Sequence, residues 1–259
     1  MRIAQKREGM KMKAAYLTPA ITMFHADGSL DLDSQKKLYE NLIAQGMDGI
    51  LVEGSSSEFF AMNMEQRRAM AKFAIDTIDH RVKLIVGTSS MVADEIISFS
   101  NYCLEQGADA VMILPPYYFH FDDEALLQYY DHLASAIDGP IYIYNFPDNT
   151  GYTISPHTVV KLAKLHSNIV GMKDTISGMD HTRELIKVVK SELPDFEIYS
   201  GFDDNFAHNV LSGGDGCIGA LSNVVPELCA AWVKAFRNND LDGIAKGQQT
   251  INRLMDLYT

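Results

Sequence analysis

Short, nearly continuous apolar runs alternate along this chain with longer stretches whose apolar residues recur every third or fourth position. Buried strands of a parallel sheet produce the first pattern and amphipathic helices the second. The runs predict strands over residues 14–19, 50–52, 82–87, 110–114, 141–145, 168–174, 196–200 and 217–221. Helical spacing falls over residues 33–45, 64–79, 94–106, 122–137, 156–166, 180–192 and 205–211, and the chain after the last strand also reads as helical. Gly46 and Gly107 stand where two of these helices should stop, as C-terminal caps. The helix-to-strand junctions echo one another as Gly46-Met47-Asp48, Gly107-Ala108-Asp109 and Gly214-Asp215.

Eight such β-α units in one unbroken chain are what a (β/α)8 TIM barrel requires. The boundaries expected are a flexible tail over residues 1–12, the barrel over 13–225, and C-terminal helices over 226–259, the last barrel helix and the start of an extension. A doubly wound open sheet is the competing architecture. Against it, the first two strands lead into Thr18-Pro19-Ala20 and a serine run, and neither carries GxGxxG.

Composition narrows the function. The 259 residues carry a net charge of -12, which argues against nucleic acid or an anionic membrane held by a basic surface. Three cysteines without metal-ligand spacing suit a reducing cytoplasm. Residues 1–12 are polar and basic, unlike a secretory signal or an anchor, and no run approaches the ~20 apolar residues of a spanning helix. No histidine pair has metal spacing, so no metal site is expected.

In a barrel, the residues just past each strand share one rim, where the chemistry sits. Those residues are Thr18, Ser55 and Ser56, Thr88 and Ser89, Tyr117 and Tyr118, Tyr144, Lys173, Gly201 with Asp203, and Ser222. Lys173 closes the apolar run Ile169-Val170-Gly171-Met172, and such a setting disfavours the ammonium and leaves an amine able to attack a carbonyl. A lysine snorkelling from a strand end is the plainer alternative. Tyr144 reads either as a packing tyrosine or as a general acid/base beside the lysine. Ser55 and Ser56 read either as turn residues or as donors to a carboxylate. Gly213, Gly214 and Gly216 lie at the opposite rim and read as a tight turn, not a phosphate loop.

Over nearly its full length the chain resembles the pyruvate-dependent Schiff-base aldolases: N-acetylneuraminate lyase, dihydrodipicolinate synthase and the 2-keto-3-deoxy-sugar-acid aldolases. The resemblance rests on Gly54-Ser55-Ser56-Ser57-Glu58 for G[ST]TGE, Pro116-Tyr117-Tyr118 for PxYY, Tyr144-Asn145-Phe146-Pro147 for YNxP, and Gly171-Met172-Lys173-Asp174 for GxKD. It implies that Lys173 forms a covalent imine with pyruvate and that no other cofactor is needed. It implies further that Tyr144 shuttles the proton and that Ser55 and Ser56 bind the carboxylate, Ser56 also passing protons to Tyr144. Tyr118 matches a tyrosine that crosses a subunit interface, so a homotetramer built as a dimer of dimers is expected. Ile218, on the last strand, joins the substrate-binding set on the same ground.

The aldehyde partner follows from departures among the family's members. Where dihydrodipicolinate synthase has an arginine two residues past the YNxP proline, this chain has Asn149, and a neutral amide does not replace a bidentate guanidinium. Gly201-Phe202-Asp203-Asp204 looks like the GYD[DE] of sugar-acid aldolases and sialic acid lyases, which makes Asp203 and Asp204 acceptors for a polyol. The plainer reading of those two acids is a helix N-cap with a first-turn acid. Lys173-Asp174-Thr175 is similar to the KD[ST] of ketodeoxy-sugar-acid aldolases, placing Thr175 on a substrate hydroxyl unless it is a turn residue. The expectation is therefore an aldolase that cleaves a 2-keto-3-deoxy sugar acid to pyruvate and a sugar-derived aldehyde. Dihydrodipicolinate synthase or N-acetylneuraminate lyase activity, a hydratase-type relative, and a non-catalytic keto-acid binder are the alternatives. Two features depart from the pattern: Ser57 replaces a glycine suited to φ > 0, and the sequence stops at Thr259, where members usually continue with a further helical segment.

Overall fold

The computed structural model describes residues 12–258; the expected tail over 1–12 therefore lies almost wholly outside the described residues. Eight strands, β1 (Ala15–Pro19), β2 (Gly49–Val52), β3 (Lys83–Gly87), β4 (Ala110–Ile113), β5 (Ile141–Asn145), β6 (Ile169–Asp174), β7 (Glu197–Ser200) and β8 (Gly216–Ile218), close into a barrel in chain order. All eight neighbouring pairs are parallel, β8 returning to β1 through Leu17 opposite Ile218. The open doubly wound alternative is excluded.

Period-two alternation explains the two cores. Leu17, Leu51, Ile85, Met112, Tyr144 and Ile218 point inward and fill the barrel. Their neighbours Tyr16, Ile50, Val86, Val111 and Ile143 point outward and pack under the helices. The helices are α1 (Leu32–Ala44), α2 (Met64–Ile78), α3 (Ala93–Gln106), α4 (Asp123–Ala136), α5 (Pro147–Thr150), α6 (Pro156–Leu165), α7 (Met179–Glu192), α8 (Phe206–Leu211), α9 (Pro226–Arg237) and α10 (Leu241–Leu254). Five of these starts, those of α1, α2, α4, α6 and α10, are capped by Asp31, Asn63, Asp122, Ser155 and Asp240, each accepting a backbone N–H from its own first turn.

The echoed Gly-x-Asp junctions have a common purpose. Asp48, Asp109 and Asp215 each precede a strand and accept the N–H of the second residue of the strand before it: Tyr16 at 2.9 Å, Leu84 at 2.7 Å and Ile198 at 2.8 Å. The barrel's lower end is closed by a polar layer. There the Glu197 carboxylate accepts from Lys83 Nζ at 2.7 Å, Tyr142 at 2.5 Å and Tyr199 at 2.7 Å. Burial pushes that carboxyl up, but Lys83 and the two tyrosines hold it below the usual range.

The expected eighth strand runs too far. After Ile218 the chain turns into a 3-10 segment, Ala220–Asn223, because Leu221 N donates to Asp203 Oδ1 at 3.2 Å and not to the ladder. The short α5 escaped the sequence reading, being a single turn started by Pro147. Outside the barrel α9 and α10 pack through Trp232, which is 1% exposed and meets Phe206 edge-on at 4.8 Å.

Candidate active site

Lys173 projects inward from the end of β6, and only 4% of it is exposed. Its register partner on β5 is Tyr144, and its Nζ sits 4.6 Å from the centre of that ring. The neighbouring Asp174 does not neutralise it. By alternation Asp174 points outward, where its carboxylate accepts from Asn145 at 2.7 Å and Thr182 at 2.5 Å and faces His181 Nδ1 at 3.0 Å. The amine is thus buried beside an aromatic ring and without a carboxylate partner among the described residues. Snorkelling is excluded.

The His181 ring meets acceptors at both nitrogens, Asp174 at Nδ1 and the Ile154 carbonyl at 2.9 Å from Nε2. Only an imidazolium satisfies both. Burial draws its pKa down, but the hydrogen bond and charge of Asp174 more than offset this, and the net shift is upward.

The serine run forms a 3-10 turn, Ser55–Ser57. The Ser55 hydroxyl lies 3.4 Å from the Tyr144 hydroxyl. Ser56, expected to pass protons to that tyrosine, does not reach it: its hydroxyl is half-buried and has no hydrogen-bond partner among the described residues. The hydroxyl beside Tyr144 is therefore that of Ser55, the first residue of the turn, and not that of Ser56, a correction to the expected contact. Ser57 needs no left-handed backbone. Its hydroxyl donates to the Ala20 carbonyl at 2.5 Å and accepts from Gly54 N at 3.2 Å, and the positive φ angles fall on Glu53 (60°), before the serine run, and on Glu58 (57°), just after it.

The remaining expected site residues divide. Thr175 is 4% exposed, and its hydroxyl is buried without a partner among the described residues. Gly201 faces it so closely that an added Cβ would lie 2.5 Å from Thr175 Cβ and 2.7 Å from Thr175 Cα. Ile218 is fully buried in the inner core with Tyr144 and Tyr199. Asp203 stands apart from the expectation that it offers oxygens to a polyol. It is fully buried; Oδ1 accepts from Tyr16 and Leu221 N, and Oδ2 accepts from Tyr258. Burial pushes its carboxyl up against those donors. Nor is it a helix cap, since Phe202 holds that position. Asp204 is half-buried; its carboxylate meets the backbone of its own turn, its carbonyl accepts from Gln248 Nε2 at 2.9 Å, and burial pushes its carboxyl up. Tyr118 is 79% exposed, with Phe119 edge-on at 5.0 Å.

Aromatic rings line one wall. Phe146 stacks on Tyr144 at 5.8 Å, Phe202 meets Phe146 at 6.3 Å, and Tyr258 meets Phe202 at 6.0 Å. The sequence reading passed over a second feature, the buried ion pair Glu53–Arg67, 2.6 Å between Nε and Oε2. Its signal was an acid directly after the apolar strand that feeds the serine turn. Burial pushes the Glu53 carboxyl up to about 7 against the pull of Arg67. Among the described residues, no group of three or more His, Cys, Asp or Glu side chains could hold a metal ion.

The sequence profile of the dihydrodipicolinate synthetase family matches residues 12–259. The chain belongs to this family. Among its relatives are two from Escherichia coli (strain K12). One is the putative 2-dehydro-3-deoxy-D-gluconate aldolase YagE, 37% identical over 93% of this chain and 80% of that protein. The other is the probable 2-dehydro-3-deoxy-D-pentonate aldolase YjhH, 36% identical over 96% and 83%. The crystal structure of YagE in complex with pyruvate superposes with a TM-score of 0.92 over 95% of this chain and 82% of that one. A monomeric dihydrodipicolinate synthase variant, 26% identical, matches with a TM-score of 0.89 over 95% and 82%. Membership in the dihydrodipicolinate synthetase family makes the chain a lyase acting on a small molecule, and the barrel carries its GxKD lysine inward. No helix among the described residues is long and apolar enough to cross a membrane.

Proposed function

We propose that this protein is a class I aldolase that reversibly cleaves a 2-keto-3-deoxy sugar acid to pyruvate and an aldehyde through an imine at Lys173. The observation that carries the reading is a buried, unpaired amine held 4.6 Å from the ring of a tyrosine whose hydroxyl has a serine within reach. The amine attacks the keto carbon, water leaves, and the protonated imine becomes an electron sink. Tyr144 takes the proton from the hydroxyl at C4. The C3–C4 bond then breaks, and its electron pair passes into the imine to give an enamine as the aldehyde departs. Protonation of the enamine at C3 and addition of water release pyruvate and restore the lysine. Ser55 carries protons to and from Tyr144, and Ser56, with its unengaged hydroxyl, binds the carboxylate together with the turn's N–H groups. The imine supplies the electron sink, so no resident cofactor or metal is needed.

Thr175, with its unpartnered hydroxyl, and Asp204 receive the polyol of the substrate; Asp203 braces the wall behind them. Asn149 is exposed on α5 and offers no guanidinium for a second carboxylate, which favours a sugar-derived aldehyde over an amino-acid semialdehyde. The YagE and YjhH names point to the same substrate class. Exposed Tyr118 is available to a second copy, in keeping with a tetramer of two dimers. The three cysteines are free and buried, which suits a reducing cytoplasm.

The test is intact-protein mass after pyruvate and borohydride, comparing the parent with Lys173→Ala. A reduced pyruvyl adduct in the parent alone supports the reading, and no adduct in either refutes it. An aldehyde panel then fixes the partner: turnover of aspartate semialdehyde above every sugar-derived aldehyde would refute the substrate class.

A further inference from the structure

A buried ion pair on the helix side of the barrel, under the serine turn, has no part in the chemistry above. Glu53 follows β2, and strict alternation would send its side chain into the barrel, two positions after inward-facing Leu51. Its φ of 60° turns it the other way. A left-handed conformation in a residue other than glycine is held only where the surroundings over-determine it. Here the carboxylate is drawn to Arg67 of α2, with side-chain exposures of 0% and 5%.

The same guanidinium donates to the Ser89 carbonyl at 2.9 Å and the Gly87 carbonyl at 3.0 Å. It also lies over the rings of Phe99 at 4.8 Å and Phe59 at 5.3 Å. Gly87 completes the clamp from the β3 side, because an added Cβ would lie 2.8 Å from Glu53 C and closer still to its oxygen. One arginine thus ties the end of β2 to the end of β3, and the tied peptide, Glu53–Gly54, leads directly into Ser55. A buried ion pair is a weak source of stability compared with apolar packing, and the second oxygen, Oε1, is buried with no partner among the described residues. The fold alone does not call for this arrangement.

We propose that Glu53 and Arg67 are positioning residues for the keto-acid carboxylate, fixing the serine turn against Tyr144 and Lys173. The inference rests on the aldolase reading. It states that the clamp acts on the carboxylate-binding half of the site and leaves the amine's reactivity intact. A displacement of the turn is felt by a ligand that needs both the turn and the lysine, and not by one that needs only the lysine.

The experiment is borohydride trapping titrated with pyruvate and, separately, with hydroxyacetone, a ketone of similar size without a carboxylate. Parent, Glu53→Gln and Arg67→Lys are compared. Glu53→Gln keeps the shape and removes the charge; Arg67→Lys keeps the charge and loses the three-way fork, and carries the test alone should the first variant not fold. The expected result is a pyruvate half-saturation raised about tenfold in each variant, as for one charge-assisted contact misaligned. Adduct at saturating pyruvate stays complete, and the hydroxyacetone curve does not move. An unchanged pyruvate half-saturation, or equal weakening for both ketones, makes the pair a brace of the fold and overturns the proposal. A parent that traps no pyruvate refutes the aldolase reading itself, and this inference with it, so the two failures are distinct.

Discussion

Gly201→Ala is the substitution for which the structure yields the sharpest expectation. Gly201 N donates to the Asp174 carbonyl at 2.8 Å, and Thr175 N donates to the Asn145 carbonyl at 2.8 Å, so both backbones are pinned by the ladder just past Lys173. A Cβ at 201 would meet Thr175 Oγ1 inside contact distance, with Thr175 Cβ at 2.5 Å and Cα at 2.7 Å. A rotamer change can move the hydroxyl but not the Cβ and Cα, so the strand ends themselves must part. Overpacking of this kind costs about 1–3 kcal/mol. For a chain of this length about 2 kcal/mol lowers the melting temperature by roughly 4–8 °C. The parting also shifts Thr175 relative to Lys173. Cleavage of a long 2-keto-3-deoxy acid should therefore fall more steeply than trapping of pyruvate, which reaches only the lysine and the serine turn. Thr175→Ala in the same background removes one of the three contacts and should restore part of the stability, not all. Calorimetry and steady-state cleavage assays read the two effects. A melting temperature within about 1 °C of the parent, where some 4–8 °C is expected, would mean that the strand ends yield freely, and the argument for glycine at 201 would fail.

Tyr144→Phe keeps the ring beside Lys173 and removes the proton carrier, so kcat for cleavage should drop by about 10²–10⁴. The protein should still fold and still yield some borohydride adduct; undiminished turnover would remove Tyr144 from the mechanism. His181→Gln tests the imidazolium behind Asp174. A histidine whose folded pKa is raised adds stability that is complete below its unfolded value, ~6.5, and lost as pH rises through the folded value. Urea midpoints of the parent should therefore decline from pH 6 toward pH 9 relative to those of the variant, and parallel curves would refute the assignment. Tyr258→Phe removes one of the donors to buried Asp203 and an acceptor for Ala220 N at 3.0 Å. The cost should be about 1–3 kcal/mol by urea denaturation, with an unmoved midpoint showing that the carboxylate does not depend on it.

Most of the barrel was legible because each of its layers repeats a local signal. Apolar runs such as Ile141–Asn145 announce buried parallel strands, and the Gly-x-Asp junctions announce strand starts whose aspartates close onto the preceding strand. Lys173 and Tyr144 were legible for a related reason: neighbouring strands in register bring their ends together whatever the loops do. What escaped depended on side chains meeting across elements distant in sequence. Asp203 reads as a free rim acid until Tyr16, from 187 residues earlier, and Tyr258 occupy its oxygens. Ser55 and Ser56 are indistinguishable in composition; only the start of the 3-10 turn decides which hydroxyl faces Tyr144. Ser57 looked like a defect because a glycine was expected to carry the positive φ, whereas the chain places that angle on Glu53 and Glu58 on either side. The positive φ at Glu53 accompanies the outward turn of its side chain to Arg67. In this chain Ser57, which departs from the family's glycine, and Glu53, the acid of the buried ion pair, stand on either side of the serine facing Tyr144.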